Sequence, residues 1–259
     1  MPVSTRPVAL VTGARRGMGR AISIQLARRG YDILCADHSA EGAEETARLV
    51  EAEGGRFGLR ECDLSEVEQI DPMVDWAWKE GGGIEVLVNN AGIMAFVRGD
   101  PLDVTPDSWN AVLAVNSRAP FFVSQAVLRR MLAEGAPGRG NRALVFISSV
   151  NAEMASASRI EYCASKAATA MLAKVFALRL AEAGIPVYDI RPGVIRTDIN
   201  ASVRDAYTRQ IESGAISPIR RWGETEDVGK AVAGLVSGDI PFSTGAAFYV
   251  DGGLHIPRF

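Results

Sequence analysis

Tyr162 and Lys166 stand four residues apart in the segment EYCASKAATAML, and Ser149 lies thirteen residues before the tyrosine. Residues four apart on a helix share a face, so phenol and amine are predicted to look into the same space. A free phenol ionises near pH ~10 and needs help to pass protons close to neutrality. A cation about 4 Å away, at an effective dielectric of ~20, is worth roughly 4 kcal/mol, equivalent to about three pH units. The spacing therefore predicts that Lys166 lowers the pKa of Tyr162. Upstream, TGARRGMG at positions 12 to 19 brings glycines close together, and they read as a dinucleotide cradle beside a proton-transfer pair.

The elements that must hold these groups are legible as short apolar runs. They are PVALV (7–11), YDILCA (31–36), RFGLREC (56–62), IEVLVN (84–89), RALVFIS (142–148), IPVYDI (185–190) and AAFYV (246–250). The first six are continuously apolar rather than alternating, which predicts strands covered on both faces, and the segments between runs are long enough for crossover helices. The expected fold is α/β: a single-domain, Rossmann-type, doubly wound seven-stranded parallel sheet with helices on both faces. No repeat or low-complexity tract divides the chain, and EGAPGRGN (134–141) joins a helix to a strand, so residues 1–259 are read as one dinucleotide-binding and catalytic domain. The longest stretch between sheet elements, 198–222, has helical character at 203–214 and is expected to form a substrate lid.

Gly13, Gly17 and Gly19 follow the first strand and open a helix, where glycine permits a tight turn and close approach to a pyrophosphate. Asp37 ends the second strand, 18 residues after Gly19, where a carboxylate accepts from ribose hydroxyls and repels a 2′-phosphate. Arg15 and Arg16 in the glycine loop point the other way, because a guanidinium pairs with the phosphate of NADP. NAD is favoured over NADP, since the carboxylate acts directly at the 2′ position.

Composition narrows the classes. The 259 residues are 47% hydrophobic and 23% charged, with a net charge of −3. Nothing in this balance attracts nucleic acid or an anionic membrane. No run reaches the ~18 uninterrupted apolar residues of a membrane span, and MPVSTRPVALV lacks the apolar stretch of a signal peptide, so a cytoplasmic protein is expected. Cys35, Cys62 and Cys163 are odd in number and form no CxxC, while His38 and His255 lie far apart, so neither a disulfide framework nor a metal site is expected. Cys163 adjoins Tyr162, but no nearby histidine would activate it.

The spacing TGxxxGxG, with Asp63 in CDLS, NNAG at 89–92, Asn116 in VNSRAPFF, Ser149 in ISSV, the Tyr162–Lys166 pair, RPGVIRT at 191–197 and VDGG at 250–253, resembles the short-chain dehydrogenase/reductase family, in its compact branch, from about residue 7 to 253. The resemblance implies hydride transfer between nicotinamide and a carbonyl or secondary alcohol. It gives Tyr162 as acid and base, Ser149 (rather than Ser148) as the group orienting the substrate oxygen, Lys166 as a ribose ligand and Asn116 as holder of a relay water. It also implies that Met18 in the glycine loop, Pro192 and Gly193 are cofactor-binding, that Asp63 and Leu64 contact adenine, that Asn89, Asn90, Ala91 and Gly92 line the adenosine side, and that Ile195 and Thr197 hold the nicotinamide amide. Met94, Phe96, Val150, Asn151, Met154 and Ile160 are expected around the substrate, with Arg98, Glu153 and Arg159 nearby. The pattern is closest to 3-oxoacyl-carrier-protein reductases, with Arg129 and Arg130 as docking residues for an acyl carrier protein. A sugar, polyol or hydroxy-acid dehydrogenase is the alternative, and a non-catalytic dinucleotide-sensing regulator is the reading from another class. Long apolar helices around 107–132 and 162–183 imply a homotetramer, with the tail 254–259 reaching a neighbouring subunit.

Overall fold

Each of the seven apolar runs forms a strand: β1 (Val8–Thr12), β2 (Asp32–Asp37), β3 (Phe57–Glu61), β4 (Val86–Asn89), β5 (Ala143–Ile147), β6 (Val187–Pro192) and β7 (Ala246–Val250). The computed structural model describes residues 5–96, 98–133, 138–197 and 204–258. The strands make one sheet in the order β3-β2-β1-β4-β5-β6-β7, with every neighbouring pair parallel. The connections carry α1 (Gly17–Arg28), α2 (Ala43–Ala52), α3 (Ile70–Gly81), α4 (Pro106–Leu113), α5 (Ala119–Ala133), α6 (Ile160–Leu180), α7 (Arg204–Glu212) and α8 (Thr225–Leu235).

Apolar runs are continuous because successive side chains enter different cores. Along β1, Val8 and Leu10 pack with α3, α5 and α6, while Ala9 and Val11 pack with α1 and α8. β5 repeats the pattern, sending Leu144 and Phe146 one way and Val145 and Ile147 the other. β3 departs from the expectation of two covered faces: as an edge strand it is half-buried, and Arg60 and Glu61 are exposed.

The helical run Pro106–Ala133 has a mean hydropathy of 1.2 and is long enough to cross a bilayer, but 56% of its apolar window is buried and its Val123, Val127 and Met131 pack into the core beside the sheet. Thr105 caps α4 by accepting from Ser108 N at 3.2 Å, and Pro106 fits the first helical position, where no amide donor is needed. Between α4 and α5 the residues Ala114–Arg118 widen into a π-helical turn. Such a bulge re-aims side chains within a helix, and here it carries Asn116.

Candidate active site

The strand order reverses between β1 and β4, so the segments leaving their C-terminal ends diverge and open a crevice. A cleft of about 1390 Å³ lies there. One wall is the loop from β1 into α1, with Gly13, Arg15, Arg16, Gly17, Met18 and Gly19. Gly17 has φ +59°, in the left-handed region, and a Cβ at Gly19 would come 2.1 Å from the Gly13 carbonyl oxygen. The start of α1 has no acidic residue in its first turn and no side-chain cap from Arg16, so its amide donors and the positive end of its dipole remain for an anion. Opposite stand Asp63 and Leu64 beyond β3, then Asn90, Ala91 and Gly92 beyond β4. This donor set fits a dinucleotide.

Asp37 and Arg15, which the sequence set against one another, form a pair. Arg15 Nε lies 3.1 Å from Asp37 Oδ1, Arg15 N donates to Oδ2 at 3.3 Å, and His38 Nδ1 is 3.0 Å from Oδ1. Arg15 also donates to the Glu41 carbonyl at 2.9 Å, so it is held in place rather than turned to solvent. Arg16 is exposed on the cleft wall and makes no ion pair among the described residues.

Asn89 corrects the expectation for NNAG. As the last residue of β4 it faces the same side as Leu87, into the α5 layer, where its amide donates to Ser124 Oγ at 2.9 Å; it lies outside the cleft. Asn90 does line the cleft, and its amide ties the turn to the glycine loop through the carbonyls of Thr12 and Gly13 at 2.9 and 3.0 Å.

A second cleft of about 320 Å³ adjoins the first and shares Met18, Asn90, Gly92, Ile93, Met94 and Thr197 with it. Ser149, Tyr162 and Lys166 meet here, beside Pro192, Gly193 and Ile195. β5 delivers Ser149, whose hydroxyl accepts from Asn151 N at 3.1 Å and lines the same cleft as Tyr162. Ser148, the rival, is turned into the sheet, where its hydroxyl donates to Asp189. Lys166 is buried, and its amine donates to the Ile147 carbonyl at 2.9 Å. A Cβ at Gly92 would lie 3.4 Å from that amine, so Lys166 sits where the two clefts join.

The electrostatics differ from the sequence expectation. The Lys166 amine is 5.7 Å from the Tyr162 ring centre and bonded to a carbonyl, and burial lowers its own pKa to about 8. Burial pushes the Tyr162 phenol above its ordinary range, opposed by the Ser149 hydrogen bond and then by the charge of Arg159. Lys166 thus does not acidify the phenol in the protein alone: desolvation outweighs a charge that makes no hydrogen bond to it.

Asn116 is 1% exposed. Its Oδ1 accepts from Ile93 N at 2.8 Å, and its Nδ2 donates to the Ile93 carbonyl at 2.9 Å and to Ser165 Oγ at 3.0 Å. The side chain's bonds are spent on fixing the segment after β4 against α6.

Of the expected substrate residues, Met94, Val150, Asn151 and Met154 line the smaller cleft with Arg159. Phe96 is 63% exposed in the segment leaving β4, and Arg98 beyond it is also exposed; both lie outside the cleft. Ile160 precedes Tyr162 by two positions on α6, about 200° around the helix, and faces away. Glu153 is drawn off by Arg191, at 2.5 Å, and by the Tyr249 hydroxyl, which donates at 2.6 Å. Arg191 also donates from Nε to Asp189 at 2.7 Å and from Nη1 to the Tyr249 oxygen at 2.8 Å. Burial opposes the Arg191 charge, but the hydrogen bonds to Glu153 and Asp189 hold its pKa above the ordinary value.

Tyr207 and Gln210 of α7, with Ile216, also line the cleft, so the described part of 198–222 does border it. Residues 198–203 of that segment lie outside the described residues. The sequence reading missed Tyr207 and Gln210 individually, although their three-residue spacing puts them on one helix face. Cys35 and Cys62 are buried, with thiols pushed up to about 12 and about 11 by desolvation, and are inert packing residues.

A sheet that reverses its order at a glycine loop, with serine, tyrosine and lysine at the junction of its clefts, defines a dinucleotide-dependent oxidoreductase. The family described as enoyl-(acyl carrier protein) reductase matches residues 13–255. The glucose 1-dehydrogenase 2 of Bacillus subtilis is 32% identical over 251 residues, covering 96% of this chain and 95% of its own. A 3-oxoacyl-[acyl-carrier protein] reductase from Brucella melitensis, solved in complex with NAD, superposes with a TM-score of 0.94 at 43% identity, over 98% of this chain and 99% of its own. A gluconate 5-dehydrogenase from Burkholderia cenocepacia, solved with NADP and tartrate, gives a TM-score of 0.88 at 32% identity, over 97% and 96%. The chain belongs to the short-chain dehydrogenase/reductase family and is an oxidoreductase of the alcohol dehydrogenase and carbonyl reductase type.

Proposed function

We propose that the protein interconverts a 3-oxoacyl compound and its 3-hydroxy form, using Tyr162 as the proton donor and acceptor. The observation that carries this reading is the half-buried Tyr162 phenol, which lines the smaller cleft together with Ser149 and Lys166, next to the larger cleft. The nicotinamide cofactor, NAD or NADP, supplies or takes the hydride when bound. The glycine loop and the start of α1 would hold its pyrophosphate, Asp37 its adenosine ribose, Asp63, Leu64 and Asn90–Gly92 its adenosine side, Lys166 its second ribose, and Pro192, Gly193, Ile195 and Thr197 its amide.

A neutral phenol is the acid that reduction requires, because the substrate oxygen gains negative charge and must receive a proton. Ser149 donates to that oxygen and orients it toward Tyr162. Asn116 acts by fixing the Ile93 segment rather than by holding a relay water with its side chain. NAD is the favoured cofactor, since Arg15 is committed to Asp37 and Glu41 and would have to leave both to meet a 2′-phosphate.

The 3-oxoacyl reading draws on the Brucella melitensis relative and its likeness over the whole chain. As a dock for an acyl carrier protein, Arg129 is exposed, whereas Arg130 is engaged by Asp75. A hydroxy-acid or sugar-acid dehydrogenase is the second reading, favoured by Arg159, a cation in the substrate cleft with no carboxylate partner among the described residues. The unpaired cysteines accord with a cytoplasmic protein. Met171, Val175 and Leu178 expose an apolar stripe along α6, which supports a homotetramer.

The test is a screen of 3-oxoacyl thioesters, keto acids, sugars and simple ketones, followed by nicotinamide absorbance with both cofactors. Turnover of 3-oxoacyl substrates supports the reading. Tight dinucleotide binding without turnover of any of them would instead favour a sensing role.

A further inference from the structure

Arg159 occupies an unusual place for a charged residue. It immediately precedes α6, its guanidinium carbon is 5.6 Å from the Tyr162 ring centre, and it lines the same cleft as Ser149 and Tyr162. Its side chain makes one hydrogen bond among the described residues, from Nε to Ser156 Oγ at 3.2 Å. Among the described residues no aspartate or glutamate pairs with it, although other half-buried arginines have such a partner, as Arg56 has Asp32, Arg130 has Asp75 and Arg139 has Glu85. Its fork of Nη1 and Nη2 donors therefore remains for something that enters the cleft. A planar guanidinium matches a carboxylate with two parallel hydrogen bonds, and a half-buried cation gains far more from an anion than from a neutral carbonyl.

We infer that Arg159 is a specificity-determining residue that binds a free carboxylate on the substrate, which selects the hydroxy-acid reading over a carrier-bound thioester and makes the compound handled a short oxo acid or hydroxy acid. This rests on the assignment of the smaller cleft as the carbonyl site. The closeness of guanidinium and phenol places carboxylate and reacting carbonyl on one short fragment, as in a 3-oxo acid. The chemistry of the site also disfavours a neutral acyl end, which would leave a desolvated guanidinium half satisfied.

The experiment compares 3-oxobutanoate with its methyl ester and its N-acetylcysteamine thioester in the wild type, Arg159→Gln and Arg159→Lys. Calorimetric binding of 3-hydroxybutanoate and its methyl ester to the cofactor-loaded enzyme runs in parallel. In the wild type, kcat/KM for the acid should exceed that for the ester about tenfold or more, the range for a charge-assisted hydrogen bond. Arg159→Gln should remove that preference, so that acid and ester differ little after any loss common to both, with Arg159→Lys between. The ester serves as the internal control for any effect of Arg159 on the phenol. An ester or thioester that equals or outperforms the acid in the wild type overturns the inference while leaving the oxidoreductase reading intact, and that comparison needs no variant to fold. Acid binding that depends on Arg159 without turnover of any compound upholds the anion site and removes the proposed reaction instead. Equal loss for acid and ester in Arg159→Gln also overturns the inference.

Discussion

Two residues on the cleft walls carry charges whose consequences are measurable. Asp37 stands where a ribose hydroxyl would be read, and Arg15 is held against it at 3.1 Å. Removing the carboxylate both ends its repulsion of a 2′-phosphate and releases the guanidinium, so Asp37→Ala is expected to shift the NADP to NAD ratio of kcat/KM toward NADP by about tenfold or more, measured with one substrate. Lys166 offers a test in stability. Burial lowers its pKa to about 8, against the 10.5 of an ordinary lysine. Below pH 8 both folded and unfolded chains carry the proton and the cost of burying the charge is fully present. From about 8 to 10.5 the unfolded chain binds more protons, so this group's contribution to stability rises with pH. Wild type should therefore gain stability relative to Lys166→Met between pH 7 and 10, as followed by urea unfolding. A gap independent of pH would show that the amine is not desolvated as described.

Secondary-structure elements divide into those that bring chemistry to the crevice and those that brace it. β6 does both. Asp189 and Arg191, two residues apart, face the same side of that strand, and their side chains are 2% and 3% exposed. Asp189 accepts from Ser148, next to Ser149, and Arg191 reaches Glu153 in the turn that follows β5. Breaking a buried pair by removing one partner costs about 3–5 kcal/mol, because the other charge stays buried. Arg191→Met is expected to lose stability in that range in denaturant titrations, and Asp189→Asn combined with it should lose less than the two single changes summed. The strands themselves were legible in the sequence, since Val8 to Val11 and Leu144 to Ile147 could be apolar without interruption only if both faces were covered. The edge position of β3 was not, because an edge is defined by the neighbour it lacks. The motif residues Ser149, Tyr162 and Lys166 converge as their spacing required. Side-chain direction was harder to read. Asn89 turns into the α5 layer by strand alternation, Phe96 and Arg98 follow a loop whose course no period announces, and Glu153 is captured by an arginine 38 positions later in the sequence. The acidity of Tyr162 is hard to read for a related reason: helical spacing places Lys166 on the correct face but is silent about the Ile147 carbonyl that accepts a hydrogen bond from its amine.

At the scale of the whole molecule, one parallel sheet separates two cores and gathers the functional loops at the C-terminal edge of its strands. The outer face of α6 remains apolar, with Leu178 83% exposed. Light scattering is expected to give a mass near four times the 27.7 kDa of the chain, and Leu178→Glu should reduce it. A monomeric wild type would remove the tetramer from this account. Assembly would cover the face of α6 opposite Tyr162 and so steady the helix that carries both the phenol and the amine.

The proposed exchange of a proton between the Tyr162 phenol and the substrate oxygen, as hydride moves, is the step on which the function depends. It is tested most directly by single-turnover nicotinamide absorbance in Tyr162→Phe, once a turned-over substrate is in hand. The expected result is an unchanged fold and cofactor affinity, with hydride transfer slowed at least about a hundredfold. Transfer at close to the wild-type rate in that variant would contradict the account.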